Sequence, residues 1–188
     1  MTYKDAIEAF VPMTEQEHND RKILLDFISQ HPDTILTREN QVAHLTSSGI
    51  ILNETLDKML MVHHNIYNTW AWTGGHADGN DNLFNVATQE IEEETGLDTF
   101  YPLSEEIYSI DIVPVFGHIK RGVYVSSHLH LNVTYVFIAD ENRPLRVKPD
   151  ENSGVMWVPL SKLDEYANEP YLVAIYRKIV EKAQNKRL

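Results

Sequence analysis

Cysteine is absent from all 188 residues, which removes disulfides, thiolate metal sites and cysteine nucleophiles together. No window approaches the roughly 18 uninterrupted apolar residues of a membrane-spanning helix, so a membrane partner is not expected. The N-terminal MTYKDAIEAFVPM has no basic flank followed by an apolar core. A signal peptide is therefore not expected, and the cytoplasm is the expected location. Sequons at Asn53 and Asn132 carry little weight without secretory routing. Positive charge is also scarce: 16 basic residues against 28 acidic ones leave a net charge of −12. Such a surface repels a phosphate backbone, so long nucleic acid is not an expected partner. A small phosphorylated substrate stays compatible if metal ions supply the missing positive charge. Repeats and low-complexity tracts are missing too.

What is present suits one domain with a small extension. Residues 1–40 read as a helical extension packed on a core of residues 41–188. YKDAIEAF is a short helix closed by Pro12; Thr14 and Glu17 then form a capping box, and Ile23, Leu24, Phe27 and Ile28 give one apolar face. From His44 the pattern turns to strands: HLTSSGIILN and KMLMVHH joined by a turn, then an extended YNTWAWTGG. IYSIDIVPVFG, VYVSSHLHLNVTYVFIAD (a hairpin or one long bent strand) and SGVMWVPL follow, interrupted by a helix over residues 83–95. Helices after Leu160 and Pro170 close the chain. Helices on either side of a mixed sheet predict an α/β sandwich, the α/β/α arrangement.

The segment GGHADGNDNLFNVATQEIEEETGL contradicts ordinary helix chemistry. Glu90, Glu92, Glu93 and Glu94 crowd the last turn before Gly96, where unpaired carbonyls already carry about half a negative charge. Glu90, Glu93 and Glu94 fall within one third of the helical circumference, beside the apolar stripe of Phe84, Ala87 and Ile91. Each like-charge neighbour costs a few tenths of a kcal/mol, and each dipole contact about 0.3–1 kcal/mol. A divalent cation reverses the sign of every one of these terms. A solvated acidic face is the competing reading, but Gly74-Gly75 allows close backbone approach and adds a carbonyl oxygen. Oxygen donors of this kind suit Mg²⁺ or Mn²⁺. A calcium-binding loop starting at Asp78 is excluded, because Leu83 and Gln89 stand where that loop needs glycine and glutamate.

This stretch resembles the box of the Nudix hydrolases, G-x5-E-x7-R-E-U-x-E-E-x-G-U, with U a bulky aliphatic residue. Gly75, Glu90, Ile91, Glu93, Glu94, Gly96 and Leu97 match in register, seven of nine defined positions. WAWTGG and VMWVPLSKL resemble the flanking lead-in and closing segments. Asp81 replaces the usual glutamate and Gln89 the usual arginine, a pair that in the family braces loop against helix; Thr73 replaces a proline. Gln89 retains the capacity to hydrogen-bond the loop without adding charge.

The resemblance implies a Nudix-type α/β/α fold that hydrolyses a diphosphate bond in a nucleoside diphosphate linked to another group. It implies Mg²⁺ or Mn²⁺ held by Glu90, Glu93, Glu94 and the carbonyl of Gly74. The general base falls to Glu93 or Glu94, or to Glu151 on a distant loop. Substrate-contact candidates are His76, Trp70, His128 and His130, each weighed against plain packing; the two histidines alternate and share a strand face. The alternative is a Nudix domain that binds and senses a nucleotide without turnover, consistent with Asp81 and Gln89. Isomerase chemistry on the same fold fails for want of a cysteine. Homodimerisation stays open.

Overall fold

A computed structural model of the chain describes residues 2–120 and 122–186. Helix α1 (Tyr3–Ala9) starts on a reciprocal capping box, Thr2 with Asp5. Helix α2 (Glu15–Gln30) is capped by Thr14, whose hydroxyl accepts from the Glu17 amide. The Glu17 carboxylate reaches back to the Met13 amide at 2.7 Å instead of to Thr14, so the expected box closes in one direction only. Leu24 and Ile28 are buried, whereas Ile23 is 52% exposed because it lies a full residue rotation off that stripe.

Strands β1 (Ala43–Asn53) and β2 (Lys58–His64) pair antiparallel around the expected turn, where the Asn53 carbonyl oxygen of the side chain accepts from the Asp57 and Lys58 amides. The extended YNTWAWTGG segment divides at Trp72. Strand β3 (Thr69–Ala71) stays on β2, while β4 (Thr73–His76) crosses to β1. Helix α3 (Leu83–Thr95) follows, capped by Asn82 and ended by Gly96 in the left-handed conformation, φ 71°. Then come β5 (Tyr101–Pro102), β6 (Ser109–Val115), β7 (His118–Lys120), β8 (Val123–Val125), β9 (His128–Ala139) and β10 (Asn152–Pro159). The long VYVSSHLHLNVTYVFIAD segment is thus two strands. β8 leaves the main sheet to pair with β7, and the bend is held by the Gly117 amide donating to Ser127 Oγ. A short 3-10 turn, α4 (Leu163–Tyr166) and α5 (Pro170–Lys186) complete the chain.

The main sheet runs β10-β2-β1-β9-β5, with β3 on β2, β4 on β1 and β6 on β9. Only β1 and β9 pair in parallel; the other pairings are antiparallel, so the sheet is mixed as expected. Leu45, Ile51, Leu131, Val133 and Phe137 join one apolar cluster with Ala87 and Ile91 of α3 and with Ile7, Leu24 and Ile28. Ile50, Leu52, Val136 and Ile138 join a second with Val173, Tyr176, Ile179 and Val180 of α5. Both faces are covered, giving the α/β sandwich.

The second face changes character along its length. Beyond Ile50, the alternating positions of β1 become Ser48, Thr46 and His44, and their β9 partners become Thr134, Asn132 and His130. No apolar residue of this stretch demands a helix over it. Because β2 and β4 share one edge of β1, at opposite ends, the sheet also parts there. This polar, divided end is where the cleft forms.

A charged tie joins the N-terminal helices to the rest. Lys178 on α5 lies 2.6 Å from Asp111 of β6 and 3.4 Å from Glu17 of α2, both acids 1% exposed. Ser109 donates to Asp111 within the same group.

Candidate functional site

A cleft of about 520 Å³ opens over the polar end of the sheet, lined in part by Glu90, Glu94 and Glu151. Strand β4 organises it through four consecutive residues. Thr73 anchors the strand by donating to the Gly49 carbonyl at 3.0 Å. The Gly74 amide donates to Glu94 Oε2 at 3.2 Å. Gly75 carries the Glu90 carboxyl directly on its backbone: a Cβ there would sit 1.8 Å from Glu90 Oε1. His76 then turns into the cleft. Gly74 is equally constrained, since a Cβ would strike Ser48 Oγ at 2.4 Å and the Ser47 carbonyl at 2.9 Å. The double glycine is therefore a matter of close approach rather than of turn geometry.

The helix end resolves into unequal parts. Glu90, Glu94 and Glu151 each offer an oxygen, and these oxygens lie within 4.8 Å of one another. Burial and the charge of nearby Glu151 raise Glu90 from the usual 4.5 to about 7. Burial and the neighbouring Glu90 push Glu94 well above the carboxylate range, against the opposing Gly74 hydrogen bond. Glu93 lies outside this group. It sits about 60° around the helix from Glu90, on the solvent side, and pairs with Lys148 at 2.7 Å. The same ammonium holds Glu151 at 3.0 Å. The expected loop brace is also different. Asp81 and Gln89 are both exposed, and no hydrogen bond joins Gln89 to the loop among the described residues. Helix α3 is instead tied to the sheet, by Ser47 Oγ of β1 donating to the Leu83 carbonyl, by the Gly74 amide of β4 donating to Glu94, and by Asn152 Nδ2 of β10 donating to the Glu94 carbonyl.

Next to the acids stands a second cluster. His44 of β1 and His130 of β9 are cross-strand partners, and His76 and His128 close around them. Ring centroids lie 4.8 Å apart for His76 and His130, 4.9 Å for His44 and His76, and 4.9 Å for His44 and His128. Burial, aided by the Arg38 cation, lowers His76 to about 3; burial and the other rings lower His130 to about 2. His44 is lowered as well, first by burial. At these values the His76 and His130 rings are neutral at physiological pH.

The cleft lining also carries the aromatic side chains Tyr67, Trp72, Phe116, Tyr124 and Tyr171. Trp70 does not line the cleft; it packs edge-on against His63 and Tyr166, and Trp72 packs against Tyr176. The break at Trp72 separates two residues that regular alternation would place on one face. Arg38 stands at the rim, bonded through two nitrogens to Asp78. Sequence reasoning passed over His44, Lys148 and Arg38. For His44 a signal existed, the polar alternation His44, Thr46, Ser48 within an otherwise apolar strand. For Lys148 and Arg38 there was none, since both act across the fold.

The NUDIX domain family matches residues 43–183, three quarters of the chain. No curated protein matches it. Among solved structures, a NUDIX-family hydrolase from Clostridium perfringens is 20% identical, with a TM-score of 0.51 over 73% of this chain and 96% of its own. The Escherichia coli dihydroneopterin triphosphate pyrophosphohydrolase is 13% identical, with a TM-score of 0.54 over 75% and 95%. The NUDIX domain of Shewanella oneidensis NrtR, solved with ADP ribose, is 15% identical, with a TM-score of 0.53 over 85% and 98%. These likenesses carry the fold, and the family match carries membership: the chain belongs to the NUDIX family of hydrolases.

Proposed function

We propose that the protein is a Mg²⁺- or Mn²⁺-dependent pyrophosphohydrolase that cleaves a diphosphate bond in a small nucleoside diphosphate-linked substrate. The observation that carries this reading is the meeting of Glu90, Glu94 and Glu151 oxygens within 4.8 Å on the wall of a cleft. The donor set fits a hard cation: carboxylate oxygens and the Gly74 carbonyl, with two acids whose charged forms are disfavoured by burial and by each other's neighbouring carboxylates. Glu90, Glu94 and the Gly74 carbonyl would hold it, with Glu151 beside them, and Glu93 would join on leaving Lys148. Bound there, the ion neutralises diphosphate oxygens and makes a water more acidic.

The chain's own residues do the rest. Glu151, on a loop and open to the cleft, is the general base, a role worth about 10²–10⁴ in rate. Lys148 pairs with Glu151 and Glu93 and so competes with the cation for these acids. Arg38 at the rim meets phosphate in exchange for Asp78. His76, His128 and His130 line the same cleft as the acids and face the phosphates when no other ligand holds them. A nucleobase stacks on the aromatic wall, with Tyr67 and Tyr124 rather than Trp70 as its platform. Residues 1–40 serve as an extension that packs on the domain of residues 41–188, and the protein works in the cytoplasm.

A second reading, a nucleotide sensor without turnover, is favoured by the exposed and unbraced Asp81 and Gln89. Incubation with nucleoside triphosphates, dinucleotides and nucleotide sugars plus Mg²⁺ or Mn²⁺ separates the two. Cleavage of at least one, reduced about 100-fold or more by Glu94→Gln and by Glu151→Gln, supports the enzyme. Ligand-induced stabilisation with no cleavage across the panel supports the sensor.

A further inference from the structure

The acids do not account for the four histidines beside them. A packed sheet-face histidine normally has its ring nitrogens satisfied. Here His44 is 4% exposed, its Nδ1 lies 2.9 Å from the Asn40 carbonyl, and its Nε2 is buried with no hydrogen-bond partner. A carbonyl can only accept, so His44 Nδ1 carries the proton and the orphaned Nε2 is a bare lone pair. His128 repeats the arrangement: its Nδ1 lies 2.8 Å from the Ser126 carbonyl, which leaves its Nε2 lone pair facing His130 Nε2 at 3.2 Å. Carbonyls behind two rings thus leave their Nε2 atoms as the available ligand atoms, the outer-shell device that fixes the tautomer of metal-ligating histidines.

We propose that His44, His76, His128 and His130 form a second metal site, an all-imidazole site for Zn²⁺ separate from the carboxylate site. One nitrogen from each ring lies within 4.8 Å of the others. Nitrogens bound tetrahedrally at the usual Zn–N length of about 2.0–2.1 Å are about 3.3 Å apart, close to the His128–His130 spacing; the wider pairs close by ring rotation. Imidazole nitrogens select a borderline cation over Mg²⁺, just as the neighbouring oxygens select the reverse. The two sites divide the metals by ligand softness, and β4 connects them: Gly74 and Gly75 lie beneath the acids, and His76 is a ligand of the second. With four protein ligands the site is closed, so a bound ion takes these rings away from phosphate contact; its role is to pin β1, β4 and β9 together where the sheet parts, not to activate water.

The whole chain, stripped of metal, is titrated with Zn²⁺ in excess Mg²⁺, and separately with Co²⁺. The expected result is one tight equivalent of Zn²⁺, a rise in Tm, and the visible absorption of tetrahedral Co²⁺. His128→Gln, at a half-exposed position, and His130→Gln each weaken Zn²⁺ binding by about 10-fold or more, with unchanged circular dichroism. Glu94→Gln leaves Zn²⁺ binding within a few-fold, so failure here is distinguishable from failure of the hydrolase reading. Absence of the Co²⁺ band, or Zn²⁺ uptake that survives both histidine variants and disappears with Glu94→Gln, overturns the proposal.

Discussion

Replacing Glu90 by glutamine is expected to stabilise the metal-free protein at alkaline pH. Its carboxyl is pressed onto the Gly75 backbone, mostly buried, with Glu94 and Glu151 alongside and Lys148 only partly offsetting them. Its pKa rises from 4.5 to about 7 on folding. The folded state therefore holds its proton over a range in which the unfolded chain has released it. The stabilising contribution is complete below 4.5, declines as pH rises, and is lost above about 7. At 1.36 kcal/mol per unit the swing has a ceiling of about 3 kcal/mol, and solvent in the open cleft reduces it to about 1–3 kcal/mol. Glutamine cannot ionise, so Glu90→Gln escapes the loss. In EDTA at pH 8 the variant gains about 1–3 kcal/mol in urea unfolding, or roughly 2–10 °C in Tm, and at pH 4 it gains nothing. Saturating Mg²⁺ reverses the ranking, since wild type gains a ligand that the variant lacks. A variant that is less stable at pH 8, or equally shifted at both pH values, refutes the reasoning.

Gly75→Ala places a methyl 1.8 Å from Glu90 Oε1 and forces the carboxyl off β4; calorimetry with Mn²⁺ then shows affinity reduced by about 10-fold or more, and an unchanged affinity refutes the close-contact reading. Lys148→Met frees Glu93 and Glu151 from their shared ammonium, so Mn²⁺ binds more tightly while the metal-free urea midpoint falls; weaker Mn²⁺ binding sinks the view of Lys148 as an internal competitor. Lys178→Met strands Asp111 and Glu17, both 1% exposed, and urea unfolding shows a loss of about 3–5 kcal/mol. A neutral result there argues that the tie between α2, β6 and α5 is dispensable.

The sequence by itself determined the helix over residues 83–95, its acids and its glycine terminus. Each is local: residues at i, i+3 and i+4 meet through helical geometry whatever surrounds them. The absence of cysteine and the apolar alternations likewise foretold an α/β sandwich without disulfides. Tertiary structure decided which acids converge. Glu93 and Glu94 are adjacent in the chain, yet one faces Lys148 and the other the Gly74 amide, because packing of α3 on β1 and β4 sets the rotation of the helix. It also brought Glu151 to Glu90 across the fold, and it broke the tryptophan pair by moving the chain from β2 to β1 at Trp72. His44 met His130 only through the parallel register of β1 and β9. That register is a long-range pairing fixed by burying one sheet face on α3 and the other on α5, and no local periodicity encodes it.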